Sequence, residues 1–95
     1  MRKIFLITKD EVKIAANLYP AERPRGWIIF SHMMPASKES WNDLAAELQN
    51  AGNESIAIDL RGHGESVSAG MRKMNYRNFS DAEHQKSILD LEAAA

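Results

Sequence analysis

The sequence predicts an α/β fold: a three-layer arrangement around an incomplete, mostly parallel sheet. Three observations carry this. Apolar runs of strand length recur at 3–8 (KIFLIT), 12–19 (VKIAANLY), 27–30 (WIIF) and 55–60 (SIAIDL). A helical period lies between the third and fourth runs. A second helix start follows the fourth. The order is therefore a β-hairpin, then β-α-β-α.

Each element has its own signal. Lys9, Asp10 and Glu11 break the first two runs with a gap short enough for a hairpin. PAERPRG, 20–26, holds two prolines and reads as a surface loop. WIIF is apolar throughout, which suits a strand covered on both faces. Ser40, with Asp43 three residues on, predicts a capped helix start. Trp41, Leu44, Ala45 and Leu48 then form one apolar face, and Gly52 suits the C′ position. Strand, helix and strand make a βαβ unit with a right-handed crossover. Residues 61–78 read as loop. Ser80 and Glu83 form a second capping box, which predicts a helix from Asp81 to near the C-terminus with Ile88, Leu91 and Ala95 as its stripe. A chain that stops on a crossover helix predicts an interrupted domain, here a single partial domain over 1–95.

Composition narrows the function. Twelve basic residues face thirteen acidic ones for a formal charge of -1, so nothing calls for nucleic acid or an anionic membrane as partner. With no cysteine, thiol catalysis, disulfides and Cys-ligated zinc are excluded. The run Ile4–Ile7 is too short for a signal segment, and no window approaches the roughly 20 apolar residues of a membrane span. The expected location is the cytoplasm.

Two stretches could carry chemistry. In AIDLRGHGES, 57–66, Gly62-His-Gly64-Glu-Ser-Val67 matches G-x-G but has Val67 where a dinucleotide loop has its third glycine, so a nucleotide-binding βαβ module is the weaker reading. His32, His63 and His84 lack ligand spacing, and no metal or cofactor is expected; His63 reads as a loop residue bonding nearby backbone, and His84 as solvated. No G-x-S-x-G nucleophile turn occurs, and Ser68 in SVSAG reads as a solvated loop serine. In FSHMMPASKESW, 30–41, the loop after a strand's carboxyl end could point free N–H groups at an anion. On residue types alone the favoured reading is that Met33 and Met34 are core filler and Pro35 shapes the loop.

Together these pieces resemble the N-terminal part of an α/β-hydrolase of the serine esterase, lipase or lysophospholipase type. A strand leads into the His-Gly-x-Pro-like segment His32-Met33-Met34-Pro35. Trp41 stands near the start of the next helix. The following strand ends in Asp59-Leu60-Arg61-Gly62-His63-Gly64-Glu65-Ser66, an Asp-x-Arg-Gly-x-Gly-x-Ser motif. The resemblance covers essentially the whole chain. It implies that Asp59, Arg61, Gly62, Gly64 and Ser66 build a turn beside the active site. It also implies that His32 is structural, that Pro35 follows a cis peptide bond, and that the Met34 N–H is one oxyanion donor. Met33 departs from the family's usual glycine.

No member of a Ser-His-Asp triad is expected within these residues. The parent would hydrolyse small esters, and this chain alone would be inactive. The alternative is a non-catalytic scaffold fragment. The family's strand order is first, second, fourth, third, fifth, which leaves strand 27–30 at an edge. That edge and the open helix faces predict a homodimer or larger self-assembly.

Overall fold

Alternation gives the first strand one covered face, whereas the second is buried on both, and a tight turn lets them meet. The computed structural model describes residues 1–34 and 36–95. Strand β1 (Arg2–Ile7) pairs antiparallel with β2 (Val12–Tyr19) in the register Arg2↔Leu18 to Ile7↔Lys13. Their turn is closed by the Thr8 N–H on Val12 O and the Glu11 N–H on Thr8 O, both at 3.0 Å. Strand β3 (Trp27–Ser31) follows the proline-rich loop.

The expected Ser40 cap is not formed. Lys38–Trp41 is a 3₁₀ turn in which the Ser40 hydroxyl donates to Ser37 O, and helix α1 (Asn42–Asn50) starts behind it. Its Ala45 is buried and Leu48 half-buried, while Leu44 stays exposed. The helix ends as Gly52 predicts: Gly52 N–H reaches Gln49 O and Asn53 N–H reaches Leu48 O, a Schellman arrangement. Strand β4 (Glu54–Ile58) then pairs parallel with β3 and antiparallel with β2.

The sheet runs β1-β2-β4-β3, and the short β5 (Ser68–Ala69) continues β4's side of β2 and pairs with β6 (Arg72–Lys73). Only the β3–β4 pair is parallel, so among the described residues the sheet is mixed rather than mostly parallel. The β5–β6 ribbon lies within the stretch expected to be loop. Helix α1 covers one face of the sheet, over Tyr19, Phe30 and Ala57. The other face carries Ile14, Ala16 and Ile58, packed by Leu91 and Ala94.

The C-terminal helix differs most from expectation. Ser80 does cap it, accepting the Glu83 N–H at 3.3 Å. It then breaks at Lys86–Ser87 into α2 (Asp81–Gln85) and α3 (Ile88–Ala94). The break resets the stripe. Ile88 is 64% exposed, and Asp90, Leu91 and Ala94 face inward instead. The cause is electrostatic: the Asp90 carboxylate turns in to meet Arg61. Strand β3 also departs from its apolar reading. Only its Ile28 and Phe30 side is covered, by α1, whereas Trp27 and Ile29 lie exposed on the other. No helix among the described residues is long and apolar enough to cross a membrane.

Removing side-chain volume on the α3 face should be costly. Ile58→Ala is expected to lose about 2–5 kcal/mol in urea unfolding. Ile88→Ala should change stability by less than about 0.5 kcal/mol, because water already reaches that side chain.

Candidate active-site scaffold

The loop after β4 is built around two buried charges. Asp59 ends the strand's apolar run with no solvent exposure. One of its oxygens accepts the Lys38 main-chain N–H at 2.7 Å. The other accepts the Lys38 ammonium at 2.8 Å and the Glu65 N–H at 3.0 Å. Lys38 is itself 0% exposed and also meets Glu65 at 2.8 Å and Glu39 at 3.0 Å. Burial works against the Lys38 charge, but hydrogen bonds to Asp59, Glu65 and Glu39 outweigh it and hold the ammonium above its ordinary pKa. Glu65 in turn is held down to about 2, by Lys3 first and Lys38 second.

Arg61 is the second charge. Its guanidinium forks onto Asp10 with contacts of 2.6 and 2.9 Å. Its Nε, Nη2 and main-chain N–H reach Asp90 at 3.0, 2.9 and 2.9 Å. Burial opposes the Arg61 charge, and the two carboxylates more than offset that. Arg61 holds the Asp10 carboxyl well below the usual range. Burial pushes the Asp90 carboxyl up, against the same arginine.

The glycines serve close approach. At Gly64, with φ +49°, an added Cβ would stand 2.5 Å from the Asp59 carboxyl atoms. At Gly62 it would stand 2.6 Å from Tyr76 N and 2.7 Å from the Phe79 ring. The space beside these two glycines is filled by Tyr76, Phe79 and Asp59. Ser66 is buried and ties the turn to the hairpin: its hydroxyl donates to Asp59 O at 2.6 Å and accepts the Ala15 N–H at 2.8 Å.

The loop at the carboxyl end of β3 is fastened to this turn at both ends. His32 is buried, and its Nε2 accepts the Leu60 N–H at 3.0 Å. That acceptor role puts the ring proton on Nδ1, which donates to Met33 O at 3.0 Å. Lys38 makes the other fastening. Between them Met33 is 78% and Met34 53% exposed, so neither fills the core. Pro35, and with it the expected cis bond, lies outside the described residues.

His63 differs from its expected role. Its buried Nδ1 has no hydrogen-bond partner among the described residues, and its ring stacks on Tyr76 at 4.1 Å with 5° between planes. The ring also meets His32 edge-on at 4.9 Å. Burial, then the neighbouring His32 and His84, lowers its pKa to about 4. His84 is half-buried and packs edge-on against Phe79. Among the described residues, no three His, Asp or Glu side chains are grouped to hold a metal ion.

The sequence reading did not identify Lys38, Asp10, Asp90, Glu39 or Lys3 as members of these networks. Asp90 has the clearest signal, an acid between Leu89 and Leu91. Lys38 and Asp10 sit in polar stretches where a charge is unremarkable until its partner is known.

Two measurements test these networks. Lys38→Met should cost about 3–5 kcal/mol, since it leaves Asp59 buried and charged. Lys38→Met with Asp59→Asn should recover part of that loss, read as a coupling energy in a double-mutant cycle. The second test concerns acid. Unfolded His63 takes up its proton near pH 6.5, folded His63 only near 4. Between those values the unfolded chain binds more protons, so stability falls as pH drops from 6.5 to 4. The expected loss is on the order of 3 kcal/mol. Urea titrations of His63→Phe across pH 4.5–6.5 should show a flatter slope than the wild type.

Comparison with known proteins places this scaffold. No family model and no curated relative matches the chain. Solved structures do. An esterase from Pyrococcus furiosus is 21% identical over 97% of this chain and 33% of its own length, with a TM-score of 0.68. An α/β hydrolase from a Penicillium species is 24% identical over 96% of this chain and 30% of that one, also at 0.68. An epoxide hydrolase from Vigna radiata is 18% identical over 97% of this chain and 26% of that one, again at 0.68. The chain thus spans about a third or less of the structures it matches. The strand order β1-β2-β4-β3 is the one the sequence predicts, and the chain has the fold of the N-terminal part of an α/β-hydrolase.

Proposed function

We propose that this chain is the N-terminal part of a hydrolase of small esters or related acyl bonds. In that reading it supplies the scaffold and one oxyanion donor, the main-chain N–H of Met34, and does not turn over ester by itself. The supporting observation is the loop that His32 and Lys38 fasten to the 59–66 turn, leaving Met33 and Met34 exposed at the carboxyl end of β3. Ligands in open α/β sheets bind outside those strand ends.

The chemistry explains why this piece alone falls short. Attack on an acyl carbonyl places negative charge on its oxygen, and fixed N–H groups stabilise that charge in the transition state. The Met34 N–H has no partner among the described residues, so it is free to donate. One such donor is worth about 10²–10³ in rate, but only once a nucleophile has been activated. The sequence has no G-x-S-x-G turn to present one. Met33 stands where relatives of the resembled type have glycine.

The 95-residue chain should leave p-nitrophenyl acetate at the buffer rate, and a fluorophosphonate probe should label none of its serines. Turnover abolished by the probe would overturn the inactive half of the reading. The coding sequence beyond Ala95 should continue into a strand and a Gly-x-Ser-x-Gly turn, and the longer product should hydrolyse p-nitrophenyl esters. A stop codon directly after Ala95 would overturn the hydrolase half.

A further inference from the structure

The tip of the β5–β6 ribbon stands clear of the rest of the molecule. A Cβ added at Gly70 would meet nothing within 4 Å, and Met71 is fully exposed. Arg72 and Lys73 are exposed too. The ribbon is two residues long on each side, Ser68↔Lys73 and Ala69↔Arg72, and β6 pairs with no strand but β5 among the described residues. Its base is held. Ala69 and Met74 pack on the core of Ile14 and Ile58, and the Met74 N–H reaches Val67 O at 2.8 Å. In the path β3-β4-β2-β5-β6 the ribbon ends one side and β3 the other, so a further strand beside β3 would not pair with it.

Two adjacent cations at an exposed tip suit a protease specific for basic residues. Such an enzyme holds its substrate as an extended strand, and β6 already offers it an open edge. The other basic positions are closed to that approach. Lys38 and Arg61 are buried. Arg2, Lys3 and Lys13 lie in the paired strands β1 and β2. Lys9 sits in the closed hairpin turn, next to the Asp10 that Arg61 grips. Arg23 precedes Pro24, and a bond to proline resists such enzymes. The Arg25–Gly26 bond is pinned on both sides: the Arg25 N–H donates to Gly52 O at 2.8 Å, and Gly26 O accepts the Glu54 N–H at 2.9 Å. Arg77 lies in the 3₁₀ turn Tyr76–Asn78, and Lys86 closes α2 with its N–H on Glu83 O.

We propose that the ribbon tip is a limited-proteolysis site: a protease specific for basic residues opens the chain after Arg72 or Lys73 and leaves a two-piece molecule that stays folded. In that step the C–N bond of the peptide breaks. The oxygen of a water joins the carbonyl carbon to give a carboxylate, and both water protons end on the new amino terminus as an ammonium. What holds the C-terminal piece does not run through the tip. Arg61 gives Asp90 three bonds, from its main-chain N–H, Nε and Nη2. Leu91 and Ala94 stay packed on the core. The Tyr76 N–H reaches Gly62 O at 3.1 Å, and its ring stacks on His63. Cutting the link turns folding into an association of two chains, so the stability of the cut molecule depends on its concentration. This inference does not use the hydrolase reading.

Brief digestion of the 95-residue chain with a trace of trypsin, read by mass spectrometry, should give 1–72 or 1–73 and its complement as the first products. The two pieces should co-elute with intact chain on gel filtration and separate in urea. The urea midpoint of the cut molecule should rise with concentration, while that of the intact chain stays constant. Arg72→Gln with Lys73→Gln should slow the first cut by more than about tenfold, since cleavage elsewhere needs a larger opening. Phe30→Leu loosens the opposite face of the sheet and should change the rate of the first cut by less than about twofold. A first cut at any other basic residue overturns the proposal, as do pieces that part in native buffer. Acceleration by Phe30→Leu in proportion to the stability it removes places the cut in the unfolded chain and also overturns it. If a variant fails to fold, the wild-type digest and its elution decide.

Discussion

Asp59 reaches the end of β4 as an ion with no water to solvate it, and the surrounding loops take their places from the need to answer that charge. Lys38 answers with both its main-chain N–H and its ammonium, which fixes where the 3₁₀ turn before α1 begins. The Glu65 N–H answers from the far side of the turn, which draws Gly64 against the carboxylate so closely that no side chain fits there. An uncompensated buried carboxylate is costly, so the loop geometry is over-determined rather than merely permitted. Ser66 extends the same arrangement to β2 through the Ala15 N–H.

What the sequence reveals of this follows from the range of each signal. The hairpin, the crossover and the Ser80 cap are written in neighbours within a few residues, and they appear where pattern reading puts them. The 59–66 turn is legible because two glycines and flanking polar residues mark it locally. Lys38 is not. Its partner lies 21 residues away, and a lysine before a helix ordinarily points to water. The C-terminal helix misleads for a related reason. Its capping box and the stripe from Ile88 suggest one unbroken helix, but the helix breaks at Lys86–Ser87 and Asp90 turns inward to Arg61. For β3 an even apolar run shows that both sides want cover, and within these residues only one side receives it.

The candidate site inherits its stiffness from those charges. The segment bearing Met33 and Met34 is exposed, yet it is tied at one end by an imidazole and at the other by a salt bridge, both onto the same turn. Fixed donors stabilise charge without having to reorganise, and fastening a loop at both ends is a direct way to fix them. His63 belongs to the same layer, where its uncharged ring touches both the His32 ring and the Tyr76 ring.

Arg61 joins Asp10, near the amino end, to Asp90, near the carboxyl end, across sequence separations of 51 and 29 residues. Neither half of the polypeptide can satisfy that guanidinium alone. Its burial therefore waits on long-range closure of the chain, which slows assembly relative to a locally wired domain of equal size. It also ties the two ends together: peeling away the terminal helix takes one of two carboxylates from a buried cation, so loosening at one end is felt at the other.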